Sequence, residues 1–137
     1  MRLIPKVAIL ICSVFFLASC ATTAKSPQAP GALAVIILPT ADVQILQTSA
    51  RQEGGIVYVE GKIQRKIPRR RVIHTGHVDI AIVDAKGKTL HQVPIGYSPE
   101  IIPRRHGMKS LFTARIPMMP PPGSFITVKF HRSPHKG

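Results

Sequence analysis

Two-residue alternation of apolar and polar side chains is the feature that most restricts the fold of this chain. It is clearest in residues 77–82, where Val78, Ile80 and Ile82 are separated by smaller or more polar residues. Because successive side chains of a β-strand point to opposite faces, this period predicts a strand with one buried face. The 13 prolines and 10 glycines of the 137 residues separate the alternating segments, which favours short strands and turns over long helices.

The same reasoning predicts six or seven strands, the weakest of them at 43–48. The candidate strands are 32–38, 43–48, 56–64, 78–82, 89–95, 110–116 and 125–131. In 56–64 one face carries Val57, Val59, Gly61 and Ile63, and in 125–131 the residues expected to point inward are Ile126, Val128 and Phe130. Turn residues separate several of them, at Gly54-Gly55, at 84–87 and at 120–124. No segment has a helical period. We therefore expect an all-β domain over residues 32–137, with the architecture of an immunoglobulin-like β-sandwich.

Three short motifs are similar to those of small immunoglobulin-like domains in bacterial surface lipoproteins. They are Gly61-Lys62 at a strand, the alternating strand 78–82, and the turn Asp84-Ala85-Lys86-Gly87-Lys88 that follows it. The chain lacks tryptophan and an antibody-type cysteine pair within the domain, which excludes the antibody subgroup.

The first twenty residues have the three-part layout of a secretory signal. Arg2 and Lys6 form a basic start, residues 7–18 are apolar, and small residues follow. An apolar run of this length is shorter than the roughly 20 residues that a membrane-spanning helix needs. The sequence Leu17-Ala18-Ser19-Cys20 resembles the lipobox of bacterial lipoproteins. That resemblance implies cleavage before Cys20 and attachment of lipid to its sulfur; an ordinary signal with an incidental cysteine is the alternative.

The predicted organisation is a signal peptide at 1–19, a lipidated tether at 20–31 and the domain at 32–137. Acyl chains hold such a protein on the membrane. By resemblance to Gram-negative lipoproteins, Ala21 in place of aspartate implies the periplasmic side of the outer membrane; a Gram-positive source would place the anchor on the single membrane. With Cys12 removed and Cys20 modified, no free thiol remains for a disulfide or a nucleophile.

A basic run is the first candidate binding site in a chain whose formal net charge is +13. Its members are Lys62, Arg65, Lys66, Arg69, Arg70 and Arg71, and Arg104-Arg105-His106 follows later in the chain. Arginine is well shaped to bind phosphate with two hydrogen bonds. The expected partners are an envelope protein, an anionic lipid or lipopolysaccharide; a solvated loop is the alternative. Nucleic acid is not expected, because no aromatic residue is interleaved with the run.

Histidines are the second candidate, and they define an alternative function in which the protein binds copper or zinc. His74 and His77 are three residues apart, and His91 could face His77 across a hairpin. Imidazole is a common ligand of both metals, which usually need third and fourth donors. Surface histidines without a metal are the ordinary outcome on a basic domain.

No motif in the chain predicts catalysis, and we expect neither an enzyme nor a cofactor. The six acids of the domain form no recognisable pair, and no phosphate-cradling glycine loop is present. An enzyme would require that folding bring Asp79 or Glu60 beside a histidine inside a pocket. The leading expectation is a lipid-anchored, non-catalytic binding or structural module of the cell envelope.

Overall fold

Every predicted segment forms a strand in the computed structural model, which describes residues 30–66, 76–105 and 107–132. The strands are β1 (Ala32–Ile37), β2 (Val43–Glu53), β3 (Ile56–Arg65), β4 (Gly76–Val83), β5 (Thr89–Ile95), β6 (Ser110–Ile116) and β7 (Phe125–Arg132). No helix occurs in these described residues. The prediction of an all-β fold with about seven strands is therefore confirmed.

The second strand is longer than its sequence pattern indicates. β2 continues to Glu53, whereas alternation predicts an end near residue 48. Its pairing with β3 shifts between Leu46 and Ser49, and Gln47 there has a φ of 48°. A bulge of this kind changes which side chains face inward, so the period breaks although the strand continues. The Gly54-Gly55 turn that follows is as predicted, and both glycines have positive φ, at 56° and 75°.

All seven strands belong to one sheet, in the order β5-β4-β7-β1-β2-β3-β6. β1 connects its two halves. Ala32 and Leu33 pair antiparallel with β2, and residues 34–37 then pair parallel with β7. An isolated bridge between Ser98, which follows β5, and Leu111 of β6 brings the two outer strands of the sheet together.

The core fills the inside of this curled sheet. Fully buried valines and isoleucines of β3, β4 and β7 form most of it: Val57, Val59, Ile63, Val78, Ile80, Ile82, Ile126 and Val128. The inward alternation predicted for these strands is thus confirmed. Phe112 of β6 is directly opposite Gly61 of β3, and its ring occupies the space that a side chain on Gly61 would take.

The strands run between two opposite ends of the sheet, which are called the near end and the far end. At the near end the described chain begins, and the Gly31 carbonyl accepts a hydrogen bond of 2.7 Å from the Gln52 amide. Gln44 and Gln64, which are paired on β2 and β3, lie at the far end together with residues 103–105, 107 and 108. At about 3.3 Å per residue, β2 separates Gln44 from Gln52 by roughly 25 Å.

Candidate functional site

A cavity of about 110 Å³ at the far end is lined by four cations from two separate parts of the chain. Arg65 and Lys66 come from the end of β3, and Arg104 and Arg105 come from the loop between β5 and β6. The other lining residues are Gln44, Gln64, Pro103, Gly107 and Met108. None of the described residues that line this cationic cavity is acidic, so its electrostatic potential favours an anion.

Arg65 is fixed in place because it continues the inward face of β3. Its side chain is 7% exposed, and its Nε donates a hydrogen bond of 2.8 Å to the carbonyl oxygen of Ile102. Burial, together with the positive charge of Arg104, lowers the pKa of the Arg65 guanidinium, while Tyr97 acts in the opposite direction. Burying a charge is unfavourable unless polar partners compensate it. An anion in the cavity would reduce the repulsion between Arg65 and Arg104.

The loop that carries Arg104 and Arg105 is attached to the core by buried residues. Tyr97 and Ile102 are 6% and 0% exposed and belong to the main core. Ser110 Oγ donates a hydrogen bond of 2.7 Å to the carbonyl oxygen of Pro99. These contacts hold the two exposed arginines beside the end of β3.

The surroundings of Tyr97 also shift the pKa of its phenol. Burial raises the pKa of its phenol, Glu100 adds to the increase, and Arg65 partly opposes it. The ring of Tyr97 lies 6.0 Å from that of Phe130, at an angle of 48°. Its hydroxyl has no hydrogen-bond partner among the described residues, so the tyrosine contributes to this end of the core mainly through its ring.

The other cations of the predicted basic run differ from Arg65 in exposure and in the residues that they contact. Lys66 is exposed, and its Nζ donates a hydrogen bond to the Thr40 carbonyl. Lys62 is half-buried and lines a separate cavity with Glu60 and Leu111. Arg69, Arg70 and Arg71 lie outside the described residues. The structure therefore joins two members of the run to Arg104 and Arg105, a grouping that sequence spacing alone does not show.

Two histidines meet on the outer face of the sheet. His77 of β4 is paired with His131 of β7, and their rings stack with centroids 5.5 Å apart at an angle of 13°. The Asp79 carboxylate lies close to both, with Nε2 of His77 3.3 Å from Oδ1 and Nε2 of His131 3.0 Å from Oδ2. Sequence reasoning missed His131 as a partner because strand register is not visible in the residues.

The proposed contact between His77 and His91 is wrong. In the β4–β5 hairpin His91 is opposite Ile82, whereas Val78 is already opposite Ile95. His77 and His91 are therefore at different ends of the hairpin. His74 lies outside the described residues. Within the described ranges, no group of three or more His, Cys, Asp or Glu is arranged to hold a metal ion.

Asp79 and Glu60, the two acids considered for a catalytic role, lie in different surroundings. Asp79 lies beside histidines, but the residues that line the cationic cavity and the cavity beside Lys62 do not include it. Glu60 does line the cavity beside Lys62, and its Oε1 accepts a hydrogen bond of 3.2 Å from Ser49 Oγ. Neither acid is thus brought beside a histidine within these two cavities.

Over the described ranges, no helix is long and apolar enough to cross a membrane. The signal region and Cys20 lie outside those ranges. No protein-family model matches this chain, and neither a curated protein nor a solved structure matches it.

Proposed function

We propose that this chain is a lipid-anchored lipoprotein of the cell envelope that acts as a non-catalytic docking module. In this proposal Cys20 carries the lipid, residues 20–31 form the tether, and the protein faces the periplasm from the outer membrane. The cationic cavity and the basic surface around it bind an anionic partner surface. The observation that carries the proposal is the convergence of Arg65, Lys66, Arg104 and Arg105 at one end of the sheet.

The position of that end favours a partner opposite the anchoring membrane. The described chain begins at the near end, next to Gln52, while the cavity lies beyond Gln44, roughly 25 Å along β2. A tether of about 12 residues extends at most about 40 Å. When it is extended, the near end of the domain faces the lipid and the far end faces away. The proposed role is therefore to connect the anchoring membrane with an anionic surface across from it.

The immunoglobulin-like sandwich is part of this proposal. Support comes from β1, whose change of partner divides the sheet into β1-β2-β3-β6 and β1-β7-β4-β5. Two such groups facing each other across a shared core have the layered arrangement of a sandwich.

Vesicle recruitment tests the docking function. The acylated protein is placed in neutral vesicles, and capture of separate, fluorescent vesicles that contain phosphatidic acid is measured by co-sedimentation. The test variant carries Arg104→Gln and Arg105→Gln. The matched control carries Lys86→Gln and Lys88→Gln, which remove the same charge from the turn between β4 and β5. This exposed turn is at the near end, because the adjacent Val83 pairs with Phe125, which pairs with the early part of β1.

We expect the wild type and the lysine control to capture anionic vesicles at low salt and the arginine variant to lose most of this capture. Capture should also fall as salt screens the charges. Equal loss in both variants would show that only net charge matters and would refute docking through the far end. Mass spectrometry of the processed N-terminus tests the anchor separately, since an unmodified Cys20 would refute lipidation.

A further inference from the structure

We infer that the cationic cavity is a binding site for a single dianionic phosphate group, either free or as the monoester end of a larger molecule. This inference rests on the proposed docking function and assigns the chemistry that the far end recognises. Its basis is the size, the charge and the fixed donors of the cavity.

Size excludes most organic ligands. The cavity holds about 110 Å³, whereas sites for drug-sized ligands occupy about 300–1,000 Å³. A single phosphate group suits a space of this size better than a whole sugar or nucleotide.

Charge favours a dianion. Arg104, Arg105 and Lys66 line the cavity and are exposed, and Arg65 adds a buried charge. Phosphate monoesters carry about −1.5 to −2 charges at pH 7, whereas a carboxylate or a phosphodiester carries one. Because Arg104 and Arg105 line the cavity and none of its described lining residues is acidic, the more highly charged anion gains more on binding.

The donors are held before a ligand arrives. The hydrogen bond from Arg65 Nε to the Ile102 carbonyl fixes the plane of the guanidinium. The Gln64 amide donates to the Gln44 amide oxygen at 3.2 Å, which orients both side chains on the wall of the cavity. Fixed donors lose little conformational entropy on binding, and guanidinium groups fit phosphate oxygens with two hydrogen bonds.

Isothermal titration calorimetry on the full chain in neutral detergent tests the inference. The probes are inorganic phosphate, glycerol 3-phosphate, the diester glycerophosphoglycerol, and acetate. Arg104→Gln removes one guanidinium, Arg104→Lys keeps the charge without the planar donor pair, and Lys86→Gln is the control. Thermal unfolding checks that each variant folds, which we expect because Arg104 is exposed.

We expect both monoanionic probes, acetate and the diester, to bind at least about tenfold more weakly than inorganic phosphate or glycerol 3-phosphate. Arg104→Gln should weaken phosphate binding at least about tenfold, Arg104→Lys should weaken it less, and Lys86→Gln should leave it unchanged. Tighter binding of glycerol 3-phosphate identifies an esterified ligand, and tighter binding of inorganic phosphate identifies the free ion. Both results support the site.

Two results would overturn the inference: similar affinity for acetate and phosphate, or phosphate binding that survives Arg104→Gln. Its failure can be distinguished from failure of the docking function. Vesicle recruitment without preference for phosphate would remove the phosphate site and keep docking. Phosphate binding without recruitment would keep the site and refute docking.

Discussion

Replacing Gly61 with alanine perturbs the closest packing in the core. An alanine Cβ at this position would lie 2.4 Å from Cζ of Phe112, 2.7 Å from its Cε1 and 2.8 Å from Oγ1 of Thr48. Carbon atoms pack best at about 3.5–4.0 Å. The Phe112 ring would therefore have to move by more than about 1 Å, yet its side chain is only 2% exposed and is surrounded by core residues.

The expected loss of stability follows from two opposing effects at Gly61. Overpacking a core typically destabilises by about 1–3 kcal/mol. Alanine in a strand is more favourable than glycine by about 0.5–1 kcal/mol, because the unfolded chain has less freedom to lose. The middle of each range gives a net loss of about 1 kcal/mol in the free energy of unfolding, and the extremes give at most about 2.5 kcal/mol. A domain of this size should then melt about 4–8 °C lower for each kcal/mol.

Thermal and urea unfolding measure this loss, with Gly96→Ala as the matched control. Nothing lies within 4 Å of a Cβ at Gly96, so the control should be neutral or slightly stabilising. The double variant Gly61→Ala with Phe112→Leu should recover part of the sum of the single losses, because the smaller side chain leaves room for the methyl group. If Gly61→Ala is as stable as the wild type, or if the two changes are simply additive, the packing argument fails.

Two further predictions concern the pH dependence and a turn. Burial raises the pKa of Tyr97, so the phenol keeps its proton to higher pH in the folded state than in the unfolded chain. This contribution to stability is present below about pH 10 and is lost as pH rises from there through the raised pKa. Tyr97→Phe should remove part of this alkaline loss, measured by thermal unfolding at about pH 9 and about pH 11; an equal loss in both proteins would contradict the effect. Asp84→Ala should cost about 1–2 kcal/mol and speed amide hydrogen exchange at Lys86 and Lys88, whose N–H groups donate to Asp84 Oδ1 at 2.9 and 2.8 Å. Asp84→Asn retains an acceptor oxygen and should keep most of the protection, so similar exchange in both variants would argue against these bonds.

Local sequence patterns were sufficient to predict the strands and their inward faces. The two-residue period identified β4 and the inward side of β7, and glycine and aspartate chemistry identified the turns at 54–55 and 84–87. These features depend on neighbouring residues, which the sequence shows directly. The end of β2 was missed because the bulge at Gln47 breaks the period without ending the strand.

Features that depend on strand register could not be predicted from local sequence patterns. The pairing of His77 with His131, rather than with His91, follows from which strand lies next to β4 and in what register. The cationic cavity has the same origin, since Arg65 and Arg104 are far apart in the chain and meet only when the loop after β5 folds against the end of β3. Arg65 also lies on the inward face of β3. The basic residues around it in the sequence indicate a solvent-exposed side chain instead.

The divided pairing of β1 has a mechanical consequence. Tension applied at residue 30 acts along β1, whose hydrogen bonds to β2 and then to β7 run across the strand, perpendicular to it in the antiparallel pair and slanted in the parallel one. Those bonds, together with the bonds of Gly31 to Gln52 and of Leu38 to Val128, are therefore loaded in shear and share the force instead of breaking one after another. Pulling at this terminus consequently loads both halves of the sheet at once.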